Sequence, residues 1–324
     1  MKLALYINLG ARRISLSTID QLRELVPPED IFTASSPEED LSAAHKIAEK
    51  DYEAIFMAGG DGTFVRFLNT LARVYGDLKA LPPIGILRLG TGNAVARLVS
   101  AGDALSDLRS YLINPSHDYL PLSLIETDGF YYPFGGLGWD AQWLEDYERL
   151  NTLFPEVIKG RVGYITAFVF GTVPKRFWSL IKQEKVFVEI TNGDKTAYFV
   201  GDNGVKGKEI PPQAEIFSGE VNSIAFGTVP DYGYGIRILP FANRYPEFMH
   251  MRIVKLSMLR ALAAAPSIYK GNFRHPDVVD VYCSDCTVRL SAPLPLQIAG
   301  ESMGRKTHVA FHIVPSIVNL IRFI

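Results

Sequence analysis

Two short glycine-rich stretches carry the residues best suited to chemistry: Gly59-Gly60-Asp61-Gly62-Thr63 and Leu89-Gly90-Thr91-Gly92-Asn93. Each follows an apolar strand-like run, YEAIFMA or PIGILRL, and each precedes a helix-like one, VRFLNTLARVY or AVARLVS. Glycine at such a junction lets the backbone approach an anion, and the helix start turns unpaired N–H groups and the positive dipole end toward it. That chemistry is phosphate binding with few cationic side chains. Asp61 is repelled by phosphate, so it is expected to orient a magnesium ion, a water or the loop's own hydrogen bonds. One such loop also reads as a glycine turn with Asp61 capping a helix. Two of them, both at strand ends in βα units, point to one crevice at the carboxyl ends of the strands.

The elements that must hold these loops alternate. LALYIN, YEAIFMA and PIGILRL read as strands, and DLSAAHKIAEK, VRFLNTLARVY and AVARLVS as helices, which is the pattern of a parallel sheet with helices packed on it. After about residue 119 the pattern becomes short aromatic and β-branched runs (LSLIET, FYYPFGG, KVFVEIT, SIAFGT, GIRILPF) separated by glycine and proline. This predicts a mainly antiparallel second domain, with helices at QWLEDYERLN, GYITAFVFGTV and MLRALAAAPSIY. The domains expected are 1–119, completed by about 309–324, and 120–308.

The 324 residues are 48% hydrophobic and 21% charged, with net charge −2, so no overall basicity recruits nucleic acid or anionic membrane. No apolar run reaches the ~18 residues of a membrane span, and the apolar run in the start MKLALYINLGARR is too short and too quickly interrupted for a signal peptide, so the expected location is cytoplasmic. Cys283 and Cys286 are the two cysteines, too few for a disulfide framework. Together with His308 and His312 they suggest zinc, but the segment between the pairs reads as strands rather than as a compact knuckle.

Gly59-Gly60-Asp61-Gly62-Thr63, followed by Pro83-x-Gly85-x4-Gly90-Thr91-Gly92-Asn93-x2-Ala96-Arg97, resembles the nucleotide-binding signature of the diacylglycerol kinase catalytic domain superfamily, which includes sphingosine and ceramide kinases and bacterial lipid kinases. The resemblance continues through GGLGWDAQW, GRVGYITAF, YGYGIRILPFA and QIAGE. It implies an N-terminal α/β domain with a parallel sheet, like that of NAD kinases and diacylglycerol kinases, and a mainly antiparallel C-terminal β-sandwich. It implies ATP bound by Asn8, Thr33, Gly59, Gly60, Asp61, Gly62, Thr63, Gly90, Thr91, Gly92 and Asn93. Magnesium would be held by Asp61 through water or the nucleotide. Asp61 and Glu301 are the implied catalytic residues, and a lipid hydroxyl is the implied acceptor.

Five matched positions differ from the common pattern. Asn8-Leu9-Gly10-Ala11-Arg12 stands for N-P-x-S-G, Val65-Arg66 for Asn-Glu, Ala94 for the aspartate of G-T-x-N-D, Pro246-Glu247 for an aspartate-glycine that supports a structural magnesium, and Ala299 for the aspartate of D-G-E. Ala94 and Ala299 motivate an alternative, a catalytically silent nucleotide- or lipid-binding protein of the same fold. A kinase for a soluble acceptor, resembling NAD kinase, is a third reading. Glu301 alone reads as a solvated turn residue, and Asp140 as the cap of the following helix. A lipid acceptor requires a local cationic and aromatic surface, for which Lys175-Arg176-Phe177-Trp178 is the candidate, engaged transiently at the membrane surface. A homodimer is left open.

Overall fold

The structure is a computed structural model that describes residues 2–11, 14–114, 118–142, 144–145, 186–233 and 235–323. It divides into two compact units, the first formed by residues 1–133, 228–247 and 314–324 and the second by 134–227 and 248–313.

The first unit begins with β1 (Leu3–Asn8), α1 (Leu16–Arg23), β2 (Ile31–Ala34), α2 (Pro37–Ala48), β3 (Ala54–Gly59), α3 (Asp61–Tyr75), β4 (Ile84–Arg88), α4 (Ala94–Leu98), α5 (Ala104–Ile113), β5 (Tyr119–Thr127) and β6 (Phe130–Tyr132). β1 pairs in parallel with both β2 and β3, and β3 with β4. Every residue of β1 and β3 is buried, as expected of parallel strands covered on both faces. α2 starts where sequence chemistry dictates: Ser36 accepts from Glu39 N, Pro37 takes the first helical position, and the Glu39 carboxylate reaches back to Ser35 N. α3 lays Phe64, Phe67, Leu68 and Leu71 into the core, each burial contributing about 1.5–3 kcal/mol, and ends at Gly76 in the left-handed region. The Phe67 ring stacks on Tyr6 of β1 at 3.6 Å between centroids. AVARLVS gives only the five residues of α4.

The second unit contains β7 (Phe134–Gly138), β8 (Val186–Asn192), β9 (Ala197–Val200), β10 (Lys206–Ile210), β11 (Glu215–Val221), β12 (Ser223–Gly227), β13 (Met249–Val254), α6 (Met258–Ala263), α7 (Ala265–Tyr269), β14 (Val278–Cys283), β15 (Asp285–Ile298) and the start of β16 (Glu301–Ile321). Its strand pairings are antiparallel. β15 changes partner along its length, pairing with β8 at residues 286–290 and with β7 at 296–298. The register against β16 slips between Arg289 and Leu294, which lets one strand serve two neighbours. On β13 and β14, Arg252 grips Asp280 through Nε at 2.7 Å and Nη2 at 2.9 Å, and His250 Nε2 lies 3.0 Å from the same carboxylate. These bonds hold the Asp280 carboxyl far below the usual carboxylate range against the opposing pull of burial.

The fold expected from the sequence, a parallel α/β region followed by an antiparallel strand-rich one, is the fold observed. One helix differs: MLRALAAAPSIY is broken into α6 and α7 at Ala264. Pro266 lacks an N–H and restricts the residue before it, so a continuous helix cannot run through. GYITAFVFGTV and the candidate membrane contact Lys175, Arg176, Phe177 and Trp178 lie outside the described residues. Among the described residues, no helix is long and apolar enough to cross a membrane.

Candidate functional site

The two glycine loops meet in the first unit. A Cβ built on Gly90 would lie 2.1 Å from the Gly60 Cα, and one on Gly60 would lie 2.9 Å from the Gly90 Cα, so backbone packs on backbone and no side chain fits. Leu89 N donates to Gly59 O at 3.1 Å, which fastens the second loop to the end of β3. Gly59 faces Thr63, whose side-chain atoms would be 2.5 Å from an added Cβ.

The polar side chains of both loops hold the loops themselves. Asn8 donates through Nδ2 to Thr63 Oγ1 at 2.7 Å and accepts Gly10 N at 3.0 Å, joining the end of β1 to the first turn of α3. Asn93 closes a reciprocal pair with Gly90, accepting from its N–H at 3.1 Å and donating to its carbonyl at 2.7 Å. The short side chain makes this possible because Asn93 sits at φ 58°, a left-handed conformation that asparagine tolerates better than most residues.

Asp61 is 8% exposed, and its two oxygens accept Ala94 N at 2.9 Å and Val95 N at 3.0 Å. It therefore caps α4 from a distance of 33 residues and occupies N–H groups that an anion would otherwise take. Burial pushes its pKa up, while the N–H donors pull the other way. The first N–H groups of α3 have no partner within their own helix, as at any helix start. Thr91 and Gly92 are partly exposed, whereas Thr33 stands exposed on β2.

Residues 228–247 return to the first unit and bring a group that the sequence reading missed. A Cβ on Gly92 would be 2.8 Å from Asp61 Oδ2 and 3.5 Å from the Gly233 Cα, so this segment runs beside the second loop. Asp231 lies there, 3.8 Å from Arg237 Nε and close enough to Arg97 and Asp61 to sense both charges. Burial raises its pKa. The one cue in the sequence was the match of YGYGIRILPFA to the kinase pattern, which begins just after Asp231.

Three of the departures are tied into the surrounding structure. Arg66, at the position of a glutamate in the related kinases, pairs through Nε with Asp40 Oδ2 at 2.6 Å, and the Tyr6 hydroxyl donates to the same carboxylate. Ala94 is buried, and its N–H serves Asp61. The Pro246 carbonyl accepts the Ser123 hydroxyl at 2.7 Å, and that hydroxyl in turn accepts Ser316 N at 3.0 Å. Among the described residues, no three His, Cys, Asp or Glu side chains group so as to hold a metal ion.

Residues 10–117 match the family model of the diacylglycerol kinase catalytic domain. The matched segment is about a third of the chain and is similar to that domain. Among curated relatives, diacylglycerol kinase 2 of Arabidopsis thaliana is 25% identical over 161 residues, 42% of this chain and 22% of that protein. Human diacylglycerol kinase zeta is 38% identical over 82 residues, 25% of this chain and 8% of that protein. The chain thus spans less than a quarter of these relatives' length. The fold likeness is wider: a putative diacylglycerol kinase from Bacillus anthracis str. Sterne superposes with a TM-score of 0.67 at 19% identity, over 99% of this chain and 97% of that one. A second diacylglycerol kinase structure from the same organism gives 0.64 at 18%, with the same coverage. The diacylglycerol kinase match covers both glycine loops.

Glu301 and Asp140 belong to the second unit. Ala299 and Gly300 form the two-residue turn between β15 and β16, both at positive φ (49° and 85°), with Ile298 and Glu301 as cross-strand partners. Gln297 steadies this turn by accepting Gly300 N at 2.9 Å. It also donates to Asp140 Oδ2 at 3.1 Å, and Ser223 Oγ donates to Asp140 Oδ1 at 3.2 Å. Glu301 is exposed, and among the described residues no hydrogen bond or ion pair fixes its carboxylate.

Proposed function

We propose that this protein transfers the terminal phosphoryl group of ATP to a hydroxyl of a diacylglycerol-like or sphingoid lipid. The observation that carries the reading is the backbone contact between Gly60 and Gly90, which joins two strand-end glycine loops into one wall with no side chain on it. A triphosphate needs such a wall, because oxygen atoms carrying its charge must come within hydrogen-bond distance of backbone N–H groups. The diacylglycerol kinase match over the same residues supports it.

In this reading the N–H groups of Gly62 and Thr63 take phosphate oxygens, while Asn8 and Asn93 keep the loops in shape. Magnesium neutralises charge on the phosphates when bound. The donors already on Asp61 fit a water-mediated contact with that ion better than direct coordination, so the ion would be held chiefly by the nucleotide. Glu301 takes the proton of the attacking hydroxyl, a role open to an exposed carboxylate at the end of a rigid turn. The acceptor is met at a membrane surface from the cytoplasm, with Lys175, Arg176, Phe177 and Trp178 as one candidate contact.

The test is incubation of the pure protein with labelled ATP, magnesium and a panel of diacylglycerols, sphingoid bases and soluble alcohols. A phosphorylated lipid is expected. Product on soluble acceptors alone would move the reading to the NAD-kinase-like alternative. Tight ATP binding without product on any acceptor would establish the silent binding protein, which the buried Ala94 and the Arg66–Asp40 pair favour.

A further inference from the structure

The connection between β13 and β14 is far longer than its ends require. Val254 and Val278 are cross-strand partners, and Lys255 N donates to Asp277 O at 2.9 Å, so the ladder closes at the base of the excursion. Antiparallel neighbours are usually joined by about two to five residues, and much longer connections tend to be functional. Here residues 256–276 intervene and carry α6 and α7. α7 buries none of its residues although it includes Ile268 and Tyr269, and Tyr269 is 49% exposed. Ala265 and Pro266 of α7 are exposed, and so is Ala263 just before it. A helix that covers no core contributes little to its own unit, and its stability there is marginal.

Its charge is as one-sided as its exposure. Between residues 256 and 276 stand Arg260, Lys270 and Arg274 and no aspartate or glutamate, in a chain whose acidic residues outnumber its basic ones by 35 to 33. Arg260 meets Asp277 at the base at 3.6 Å, an exposed pair that solvent screens. Tyr269 exposed and Ile268 half-buried among cations, with no anion between them, match the interface of an anionic bilayer: headgroups take the cations and the acyl boundary takes the two apolar side chains.

We propose that residues 256–276 form a docking finger for anionic lipid headgroups, distinct from the contact at 175–178. The proposal rests on the lipid-acceptor reading only for why a bilayer should be the surface met. Cosedimentation without nucleotide, on vesicles of phosphatidylcholine alone or mixed with phosphatidylglycerol, tests it. The expected result is binding to the mixed vesicles that weakens with salt. Lys270→Glu should reduce partitioning at least tenfold, since each basic residue near such a surface contributes about a fivefold factor and reversal counts twice. Tyr269→Ser should reduce it several-fold. Lys46→Glu, the same charge change on exposed α2, should leave it close to wild type. Equal loss in Lys46→Glu, equal binding to phosphatidylcholine alone, or no binding to either vesicle would overturn the finger. Thermal melts of the variants report folding. Phosphorylation of a short-chain diacylglycerol dispersed as monomers should be unchanged by Lys270→Glu; absence of that activity in the wild type would sink the kinase reading without touching the vesicle result.

Discussion

The two regions credited with chemistry are built in opposite ways. In the first unit the polar side chains of the glycine loops turn inward: Asn8 to Thr63, Asn93 to Gly90, Asp61 to Ala94 and Val95. They hold backbone in place and leave other backbone N–H groups for a ligand. In the second unit the turn residues Gln297 and Ala299 are buried and Glu301 projects from the turn, exposed. Under the proposed kinase reading, the phosphate loops use carboxylates and amides as scaffold, whereas the group that would exchange a proton stays accessible.

The sharpest way to break this comparison is Gly90→Val. Its Cβ would fall 2.1 Å from a backbone atom, which cannot rotate away as a side chain would. ATP affinity should fall about a thousandfold or more, equivalent to about 4 kcal/mol. Near-normal affinity by calorimetry, with the fold intact, would mean that the paired loops are not the nucleotide site.

A contrast between two carboxylates comes next. Glu301→Gln should slow turnover about a hundredfold or more, with melting temperature and ATP affinity unchanged. Asp61→Asn should act on stability, lowering it by about 1–3 kcal/mol, because an amide offers one acceptor where two N–H groups now donate. Measuring rate and chemical denaturation on both variants decides the matter. If Asp61→Asn melts like the parent, or if Glu301→Gln changes stability rather than rate, the division into scaffold and chemistry is wrong.

The smallest expected effect lies in the turn itself. Ala299 has φ 49°, a conformation that costs an L-residue with a Cβ about 1 kcal/mol. Ala299→Gly should therefore raise the urea midpoint slightly, by an amount equivalent to at most about 0.6 kcal/mol once the ~0.4–1 kcal/mol for glycine's greater freedom in the unfolded chain is allowed for. A lower midpoint would show that the Ala299 methyl, 6% exposed, contributes more through packing than the backbone loses.

What the sequence determined by itself was local. Alternation of apolar runs with amphipathic ones placed β1, β3, β4, α2 and α3, because helix and strand periods are properties of short windows. The glycine loops were visible because glycine before a helix start is also a local feature. Tertiary structure alone decided what the side chains do there. From the sequence, Asp61 could orient a magnesium ion, a water or the loop's own hydrogen bonds; folding decided that α4, 33 residues later in the chain, donates to both of its oxygens. Arg66 was an unexplained departure until folding brought Asp40 and Tyr6 around it. Asp231 had no local mark, since it joins the first unit through a segment, 228–247, that lies in sequence between two stretches of the second unit. MLRALAAAPSIY read as one helix, because propensity could not show that its second half, α7, would remain uncovered. In each case the deciding partner is distant in sequence, and a hydrogen bond or a buried charge is defined by the atoms that folding brings within 3 Å or so of it, not by its neighbours along the chain.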